Sequence, residues 1–282
     1  MKVKIIADST CDLPKEIIHK FDIDIIPLYV ILDEQSYKDS LEITTRELVD
    51  WSNATNKTPK TSAPSVDDFM NAFNPYVRKK QDIVFVCISS ELSATCQNAN
   101  IAAGMIDGIN IKIVDSRNVA QGTGVVAYKA AKYAEEGLSA DEIEAKLSEL
   151  VPKVFTGFVL DKLDFLRRGG RCSALQAFAA TSLKLRPEIV AKEGKLIPGG
   201  KFRGSMDKVV KSYFSKKLEK LDEIDPEMVM VVTTLDDMGL RSITEEIVKN
   251  TGYFKEVIVA DAGCVITAHS GPNTYGIFYI KK

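Results

Sequence analysis

At 282 residues the chain has room for two domains or one large one, and its 45% hydrophobic and 27% charged residues are ordinary for a globular protein. A core of that size needs no disulfide or metal. The net charge of −2 provides no global basic field, so neither nucleic acid nor an anionic membrane is expected as a partner.

The first ten residues, MKVKIIADST, are too short and reach Asp8 too early for a signal peptide, and no apolar stretch has the length of a membrane span. The 5 scattered cysteines contain no C-x-x-C pair, which is typical of unpaired thiols in a reducing compartment. With only 2 histidines, a His-rich metal site is excluded. We therefore expect a cytoplasmic protein without metal, cofactor or stable membrane insertion.

The first half alternates apolar strands with helices. Strands are predicted at 2–7, 23–32, 82–88 and 109–114. Helices are predicted from an Asp12 cap to Phe21, after the Thr44–Glu47 capping box, after Ser65, and over 94–106 and 125–136. Such alternation predicts a parallel sheet covered by helices, an α/β fold with a Rossmann-like N-terminal domain at 1–152.

The second half has a different order of elements. Strands are predicted at 154–160, 228–234, 257–260 and 275–280, with a hairpin over 188–201 that turns at Glu193-Gly194. Helices are predicted at 173–185, 206–221 and 240–249. This mixture predicts an α+β C-terminal domain with a mixed sheet over 153–282, and a boundary near 150–155.

Small polar clusters lie beside the predicted strands. The strand at 82–88 runs into Ser89, Ser90, Ser93 and Thr95 just before a helix. Hydroxyls at such a junction meet free N–H groups and the positive end of the helix dipole, which suits a small anion or a carboxylate. Similar clusters are DST at 8–10, TSAPS at 61–65 and HSGP at 269–272.

Each cluster also has a purely structural interpretation. Ser, Thr and Asp commonly cap helices and form turns, which would account for 8–12, 61–65 and Ser93. His269, between a short apolar strand and a turn, would then be a satisfied polar group, and Arg167, Arg168 and Arg171 a solvated loop. Gly199-Gly200 is interpreted as a turn. No phosphate-binding loop, G-x-G-x-x-G or G-x-S-x-G motif is present, so the chain itself shows no nucleotide site and no nucleophile elbow.

The ordered set DSTCDLP, TSAPS, SSELSATCQ, FLRRGGR and HSGP covers essentially the whole chain and resembles the DegV family of fatty-acid-binding proteins. The resemblance implies a two-domain α/β fold with a single fatty acid buried between or beneath the domains. It places the family's carboxylate-binding hydroxyls on Thr61 and Ser93, with Ser62 beside them. It also places the family's GGR arginine on Arg171 and its H-x-G-P histidine on His269.

Some family members are similar in role to the acyl-binding subunit of a bacterial fatty acid kinase, whose partner subunit carries ATP and converts the bound acid to an acyl phosphate. The resemblance therefore implies a kinase subunit as partner and Arg203 as the docking residue. The chain departs from the family pattern at Ala94 and Cys96, at Asn273 and at Gly204. The departures at Ala94 and Cys96 and at Asn273 are expected to change the shape of the head-group pocket slightly. Gly204 replaces the threonine usual beside the docking arginine, so it affects the docking role expected of Arg203.

The resemblance implies a long-chain fatty acid as the ligand. Its tail would contribute about 0.8 kcal/mol per buried CH₂, and hydroxyl groups would hold its carboxylate. On this interpretation the chain is a lipid-binding protein and not an enzyme alone. The alternative is an acyl hydrolase or transferase with Ser93 as nucleophile and His269 as base. A third interpretation is a binding protein for another small anion.

Overall fold

The computed structural model describes residues 2–172 and 185–282. The helix predicted over 173–185 lies outside the described residues except for Leu185, which begins a strand. The strands are β1 (Lys4–Asp8), β2 (Asp24–Ile26), β3 (Tyr29–Leu32), β4 (Gln35–Lys38), β5 (Lys60–Ser62), β6 (Ile83–Cys87), β7 (Ile111–Asp115), β8 (Val154–Val159), β9 (Leu185–Lys192), β10 (Lys195–Arg203), β11 (Ile224–Thr234), β12 (Glu256–Asp261) and β13 (Thr274–Lys281). The α-helices are α1 (Lys15–Phe21), α2 (Thr45–Thr55), α3 (Val66–Lys79), α4 (Thr95–Gly104), α5 (Gln121–Glu135), α6 (Ala140–Leu150), α7 (Asp164–Gly169), α8 (Met206–Lys217), α9 (Arg241–Lys249) and α10 (Cys264–Ser270).

The N-terminal half forms a four-stranded parallel sheet in the order β2-β1-β6-β7. Every residue of β1 and β6 is buried, as expected for parallel strands covered on both faces. Phe69 and Phe73 of α3 pack with Phe85 on one face, while α5 packs against Ile5 and Val84 on the other. The predicted Rossmann-like α/β arrangement is confirmed.

The C-terminal half forms a six-stranded mixed sheet in the order β10-β9-β8-β13-β11-β12. Only the β11–β12 pair is parallel among the described pairs of this sheet. Helices α8 and α9 cover one face, where Tyr213, Phe214 and Tyr275 are fully buried. The predicted mixed sheet of an α+β half is confirmed.

Helix α5 lies between the two sheets. It contacts β1 and β6 of the parallel sheet and β8, β11 and β13 of the mixed sheet. One continuous core therefore runs from Val84 through the buried alanines of α5 to Phe158 and Phe278. The boundary predicted near 150–155 coincides with a short 3-10 turn, Val151–Lys153, but the shared core crosses it, so the boundary stays a prediction.

The structure corrects two local predictions in the first half. The single strand predicted at 23–32 is two strands separated at Pro27, which has no N–H for a ladder. β2 belongs to the parallel sheet, whereas β3 pairs with β4 and β5 in a separate three-stranded antiparallel sheet. Asp12 does not cap α1, since Pro14 is the N-cap residue and the carboxylate of Asp12 accepts a hydrogen bond from Gly263 N at 2.8 Å.

Gly199-Gly200 is not a turn. The hairpin turns at Glu193–Gly194 as predicted, and the glycine pair lies inside β10, where the register shifts between Pro198 and Lys201. Buried Glu188 accepts a hydrogen bond from Gly200 N at 2.7 Å, which fixes this irregularity. The hairpin turn contacts the loop that follows β6, because Ser89 Oγ donates to Gly194 O at 2.7 Å.

Within residues 2–172 and 185–282, no helix has both the length and the apolar character needed to cross a lipid bilayer. No group of three or more His, Cys, Asp or Glu side chains in that part of the chain is arranged to hold a metal ion.

The close packing of α5 gives a testable prediction. A Cβ atom at Gly124 would lie 2.5 Å from the backbone carbonyl oxygen of Cys11, whereas one at Gly104 would have no atom within 4 Å. We expect Gly124→Ala to lower the free energy of unfolding by about 1–3 kcal/mol, since the backbone must shift. Gly104→Ala, the matched control in another helix, should leave it unchanged or raise it by about 0.5–1 kcal/mol.

Urea unfolding of both variants and the wild type measures these differences. A Gly124→Ala protein as stable as Gly104→Ala would contradict the packing described for α5.

Candidate functional site

A cavity of about 290 Å³ lies at the N-terminal end of α5, between the two sheets. Its volume is near the lower end of the ~300–1,000 Å³ usual for ligand pockets. Most of its walls are apolar side chains from both halves of the chain, namely Leu28, Ile88, Leu92, Val119, Phe158, Leu166, Leu196, Val232, Val265, Ile266 and Phe278. All the residues predicted to bind the carboxylate also line it: Thr61, Ser62, Ser93, Arg171 and His269.

Thr61 and His269 meet directly at the cavity wall. Thr61 Oγ1 lies 2.8 Å from His269 Nε2, a hydrogen bond between residues 208 positions apart. Thr61 is held by β5, where it pairs with Val30 of β3. His269 lies in the last turn of α10, which corrects the prediction that it lies between a strand and a turn.

The imidazole of His269 is packed tightly and is neutral at pH 7. A Cβ atom at residue 169 would lie 2.4 Å from His269 Nδ1, so Gly169 allows α7 to approach the ring. Burial, with the positive charge of Arg171 as the smaller cause, lowers the pKa of His269 to about 4. The buried Nδ1 atom has no hydrogen-bond partner among the described residues.

Ser93 and Ser62 present hydroxyls beside this pair. Ser93 lies two residues before α4, where its Oγ accepts a bond from Thr95 N at 3.3 Å and lies 2.8 Å from Thr95 Oγ1. Ser62 is exposed and its hydroxyl has no partner in the described part of the chain. Asn98 of α4 donates to Pro64 O at 2.7 Å, which joins the Ser93 segment to the 61–65 segment.

Arg171 supplies a positive charge at the cavity, while the other predicted arginines lie elsewhere. Its side chain is exposed and donates to Gly169 O at 2.9 Å. Arg167 and Arg168 do not line the cavity. Arg203 is exposed at the end of β10, also outside the cavity and far along the strand from the hairpin turn. The exposure of Arg203 is compatible with the docking role that the resemblance implies, and that role stays a prediction.

The geometry does not form the Ser/His pair of a hydrolase. Ser93 is bonded to Thr95 and His269 to Thr61, and these two hydrogen bonds are separate. No carboxylate among the described residues accepts a bond from His269 Nδ1, so the ring lacks the third group that orients a catalytic base.

Three further hydroxyl residues, Thr234, Ser270 and Thr274, line the cavity. Ser270 belongs to the HSGP cluster at 269–272, whereas Thr234 and Thr274 were not predicted. Thr234 Oγ1 donates to Gly271 O at 2.6 Å and accepts from Thr274 N at 3.0 Å, and Ser270 Oγ donates to Ile266 O. Their hydroxyls are satisfied by the backbone, so they shape the β11–α10–β13 junction. No sequence motif marks Thr234 or Thr274, because each lies at the end of a regular strand.

The neutral buried imidazole predicts a pH dependence of stability. The pKa of His269 is about 4 in the folded chain against 6.5 ordinarily, so the unfolded chain takes up the proton first as the pH falls. The free energy of unfolding should therefore decrease from about pH 6.5 to pH 4, by up to about 3 kcal/mol from this group.

The measurement compares urea unfolding of ligand-free wild type and His269→Gln across this window. Asp8, whose pKa burial raises to about 6, titrates in both proteins and cancels in the difference. If the free energies of unfolding of the two proteins changed equally with pH across this window, the predicted lowering of the His269 pKa would be wrong.

Comparison with known proteins agrees with this fold and cavity. A family model described as "Uncharacterised protein, DegV family" matches residues 2–282. A fatty acid-binding protein of Thermotoga maritima is 34% identical over 287 residues, covering 98% of this chain and 96% of the relative.

Two solved structures are similar over the whole chain. A DegV family protein from Thermus thermophilus, described by its fatty acid binding, is 29% identical with a TM-score of 0.89 and 100% coverage of both chains. A stearic acid-binding protein from Eubacterium ventriosum ATCC 27560 is 27% identical with a TM-score of 0.87, covering 99% of this chain and 98% of that one. The chain belongs to the DegV family.

Proposed function

We propose that this chain binds one long-chain fatty acid in the cavity at the end of α5, with the acyl tail against the apolar walls and the carboxylate at Thr61, Ser62, Ser93, Arg171 and His269. One observation carries the proposal. These polar residues come from distant parts of the sequence and line a cavity whose walls are otherwise largely apolar. The fatty acid binding of the Thermotoga and Thermus relatives supports the same assignment.

The energetics of such a site are favourable. The tail contributes about 0.8 kcal/mol for each CH₂ removed from water. The carboxylate needs hydrogen-bond donors, which Thr61, Ser62 and Ser93 provide without a charge that would be buried and unpaired in the empty cavity. Arg171 adds a positive charge from an exposed position, so it strengthens the grip at little desolvation cost.

We also propose that the bound acid is presented to a separate ATP-binding kinase subunit, which phosphorylates the carboxylate. Two features support this step. The sequence contains no phosphate-binding loop of its own. Arg203 is an exposed cation outside the cavity, at the end of the edge strand β10, where a partner could reach it.

The head-group assignment predicts a difference between an acid and an alcohol. Thr61→Val and Ser93→Ala each remove one hydrogen bond to a charged group, a loss of about 1.5–3 kcal/mol or roughly 10- to 150-fold in affinity. Binding of a fatty alcohol of equal length should barely change. The measurement is displacement of a fluorescent fatty acid by each ligand.

Ser65→Ala is the matched control, because Ser65 belongs to the same segment but caps α3 and does not line the cavity. Equal losses for acid and alcohol in Thr61→Val and Ser93→Ala would place the carboxylate elsewhere.

The docking assignment predicts a change in rate without a change in affinity. Arg203→Ala should bind fatty acid like the wild type and lower only the rate of acyl phosphate formation when a kinase subunit and ATP are added. The isolated chain should neither bind nor hydrolyse ATP. Lys192→Ala, which removes an exposed cation from β9 of the same hairpin, is the control. Loss of fatty acid binding in Arg203→Ala would refute the docking role.

A further inference from the structure

Asp39 lies outside the fatty acid cavity and is almost completely buried. It follows β4 directly and its residue exposure is 1%. Its Oδ1 atom accepts hydrogen bonds from Cys264 N at 2.8 Å and from Val265 N at 3.2 Å. Hydroxyls complete the shell, since Ser40 Oγ donates to Oδ1 at 3.0 Å and Ser9 Oγ donates to Oδ2 at 2.7 Å. A fully bonded carboxylate at this place joins three segments of the chain.

The first branch of this network leads to His269. Cys264 and Val265 open α10, and His269 lies in the last turn of the same helix. A helix of 7 residues is too short to be stable alone, and its N-cap residue Gly263 has no side chain with which to cap it. The carboxylate of Asp39 takes over that role from another part of the fold, at the end of the helix where negative charge is favoured.

The N-terminus of α10 is packed closely against Asp39, Ser40 and Asp12, as expected if Asp39 caps this helix. Asp12 accepts a bond from Gly263 N at 2.8 Å and so assists Asp39. A Cβ atom at residue 263 would lie 2.8 Å from Ser40 Oγ and 3.1 Å from Asp39 Oδ1. Gly263 thus lets two carboxyl groups of the N-terminal half approach the helix.

The second branch leads to Thr61. Asp39 N donates to Leu28 O at 2.8 Å, and Leu28 N donates to Ser9 Oγ at 3.1 Å, the same hydroxyl that donates to Asp39. Leu28 immediately precedes β3, whose Val30 pairs with Thr61 of β5. The carboxylate of Asp39 is therefore linked, through Ser9 Oγ and Leu28, to β3 and the strand β5 that carries Thr61.

Two opposing effects act on the pKa of Asp39: burial of the carboxylate and the hydrogen bonds it accepts. Burial raises the pKa of Asp39, and the bonds from Ser9, Ser40 and the two α10 amides oppose that shift. A buried carboxylate is stable only while its hydrogen-bond donors stay in position, because desolvation of the charge is costly. The donors to Asp39 come from Ser9, Ser40 and the start of α10, so these segments are held together.

We infer that Asp39 is a positioning residue for the head-group end of the cavity, holding α10 and β3 so that His269 and Thr61 meet. The binding consequences of this inference rest on the proposed function, whereas its effect on the His269 ring rests on the structure alone. Removing the carboxylate should separate the two partners without touching the cavity wall.

The test uses the full chain with Asp39→Ala, Asp39→Asn and Ser139→Ala. Asp39→Asn is the conservative variant, since its amide oxygen still accepts from Cys264 N and Val265 N. Ser139→Ala is the matched control, because it removes an N-cap from α6, away from the cavity. Nitrogen-15 NMR of the imidazoles reports on His269, with the His269→Gln spectrum distinguishing it from His19.

In the wild type the bond to Thr61 should hold His269 in a single neutral tautomer, with two well-separated ring nitrogen signals. Asp39→Ala should bring these signals together as the tautomers interconvert, and Asp39→Asn should restore the separation. Affinity for a fatty acid should fall about tenfold or more in Asp39→Ala, with little change for the equal-length alcohol, and remain near wild type in Asp39→Asn and Ser139→Ala.

An unchanged His269 spectrum and unchanged affinity in Asp39→Ala would overturn the inference, as would an equal loss in Ser139→Ala. Should Asp39→Ala not fold, Ser9→Ala tests the same network. It removes the hydroxyl that donates to Asp39 Oδ2 and accepts from Leu28 N, but it leaves the bonds from Cys264 N and Val265 N to Asp39, so it should give the same changes in smaller degree. A wild type that binds no fatty acid would refute the proposed function, and the NMR comparison would still decide the role of Asp39.

Discussion

Helix α5 is packed between a parallel and a mixed sheet, and this constraint determines where a cavity can form. Its buried face contains alanine and glycine at the closest contacts, since Gly124 lies against the carbonyl of Cys11. Beyond the start of the helix, Val119, Ile88, Val232 and their neighbours enclose a space that no helix of residues 2–172 and 185–282 fills. The apolar ligand that we propose for that space would complete the core that α5 begins.

In the proposed site, the polar residues of the cavity hydrogen-bond the carboxylate of the ligand without leaving a buried, unpaired charge when the site is empty. His269 is kept neutral by burial, and its Nε2 is bonded to Thr61, so the empty site carries no buried imidazolium. The formal charge of Arg171 stays at an exposed position. Asp39 and Asp12 act at a distance, through the N-terminus of the helix that carries His269. In this account the carboxylate is recognised mainly by donors whose geometry is fixed by the surrounding network.

The two main sheets and the polar residues that line the cavity could be predicted from the sequence. The hydrogen bonds between those residues, and the elements that carry them, could not. Buried strands such as IVFVC at 83–87 and capping boxes at Thr44 and Ser65 are local signals, and the structure confirms them. The S-x-x-E box at Ser139, which begins α6, is an equally local signal, and the helix it marks is absent from the sequence prediction. Two features depend on long-range packing, which the hydrophobic periodicity of the sequence does not encode. His269 lies in a helix, and Asp12 accepts a hydrogen bond from Gly263 N instead of capping the helix that follows it in the sequence. Thr61, Ser93 and His269 are far apart in the sequence, and only the family resemblance predicted that they belong to one site.

The content of the cavity is the central claim, and mass spectrometry of the purified protein tests it most directly. Denaturing extraction should release a single long-chain fatty acid per chain, or the chain should take one up when incubated with acids from myristic to stearic. A chain that is free of lipid and remains so after that incubation would contradict the account.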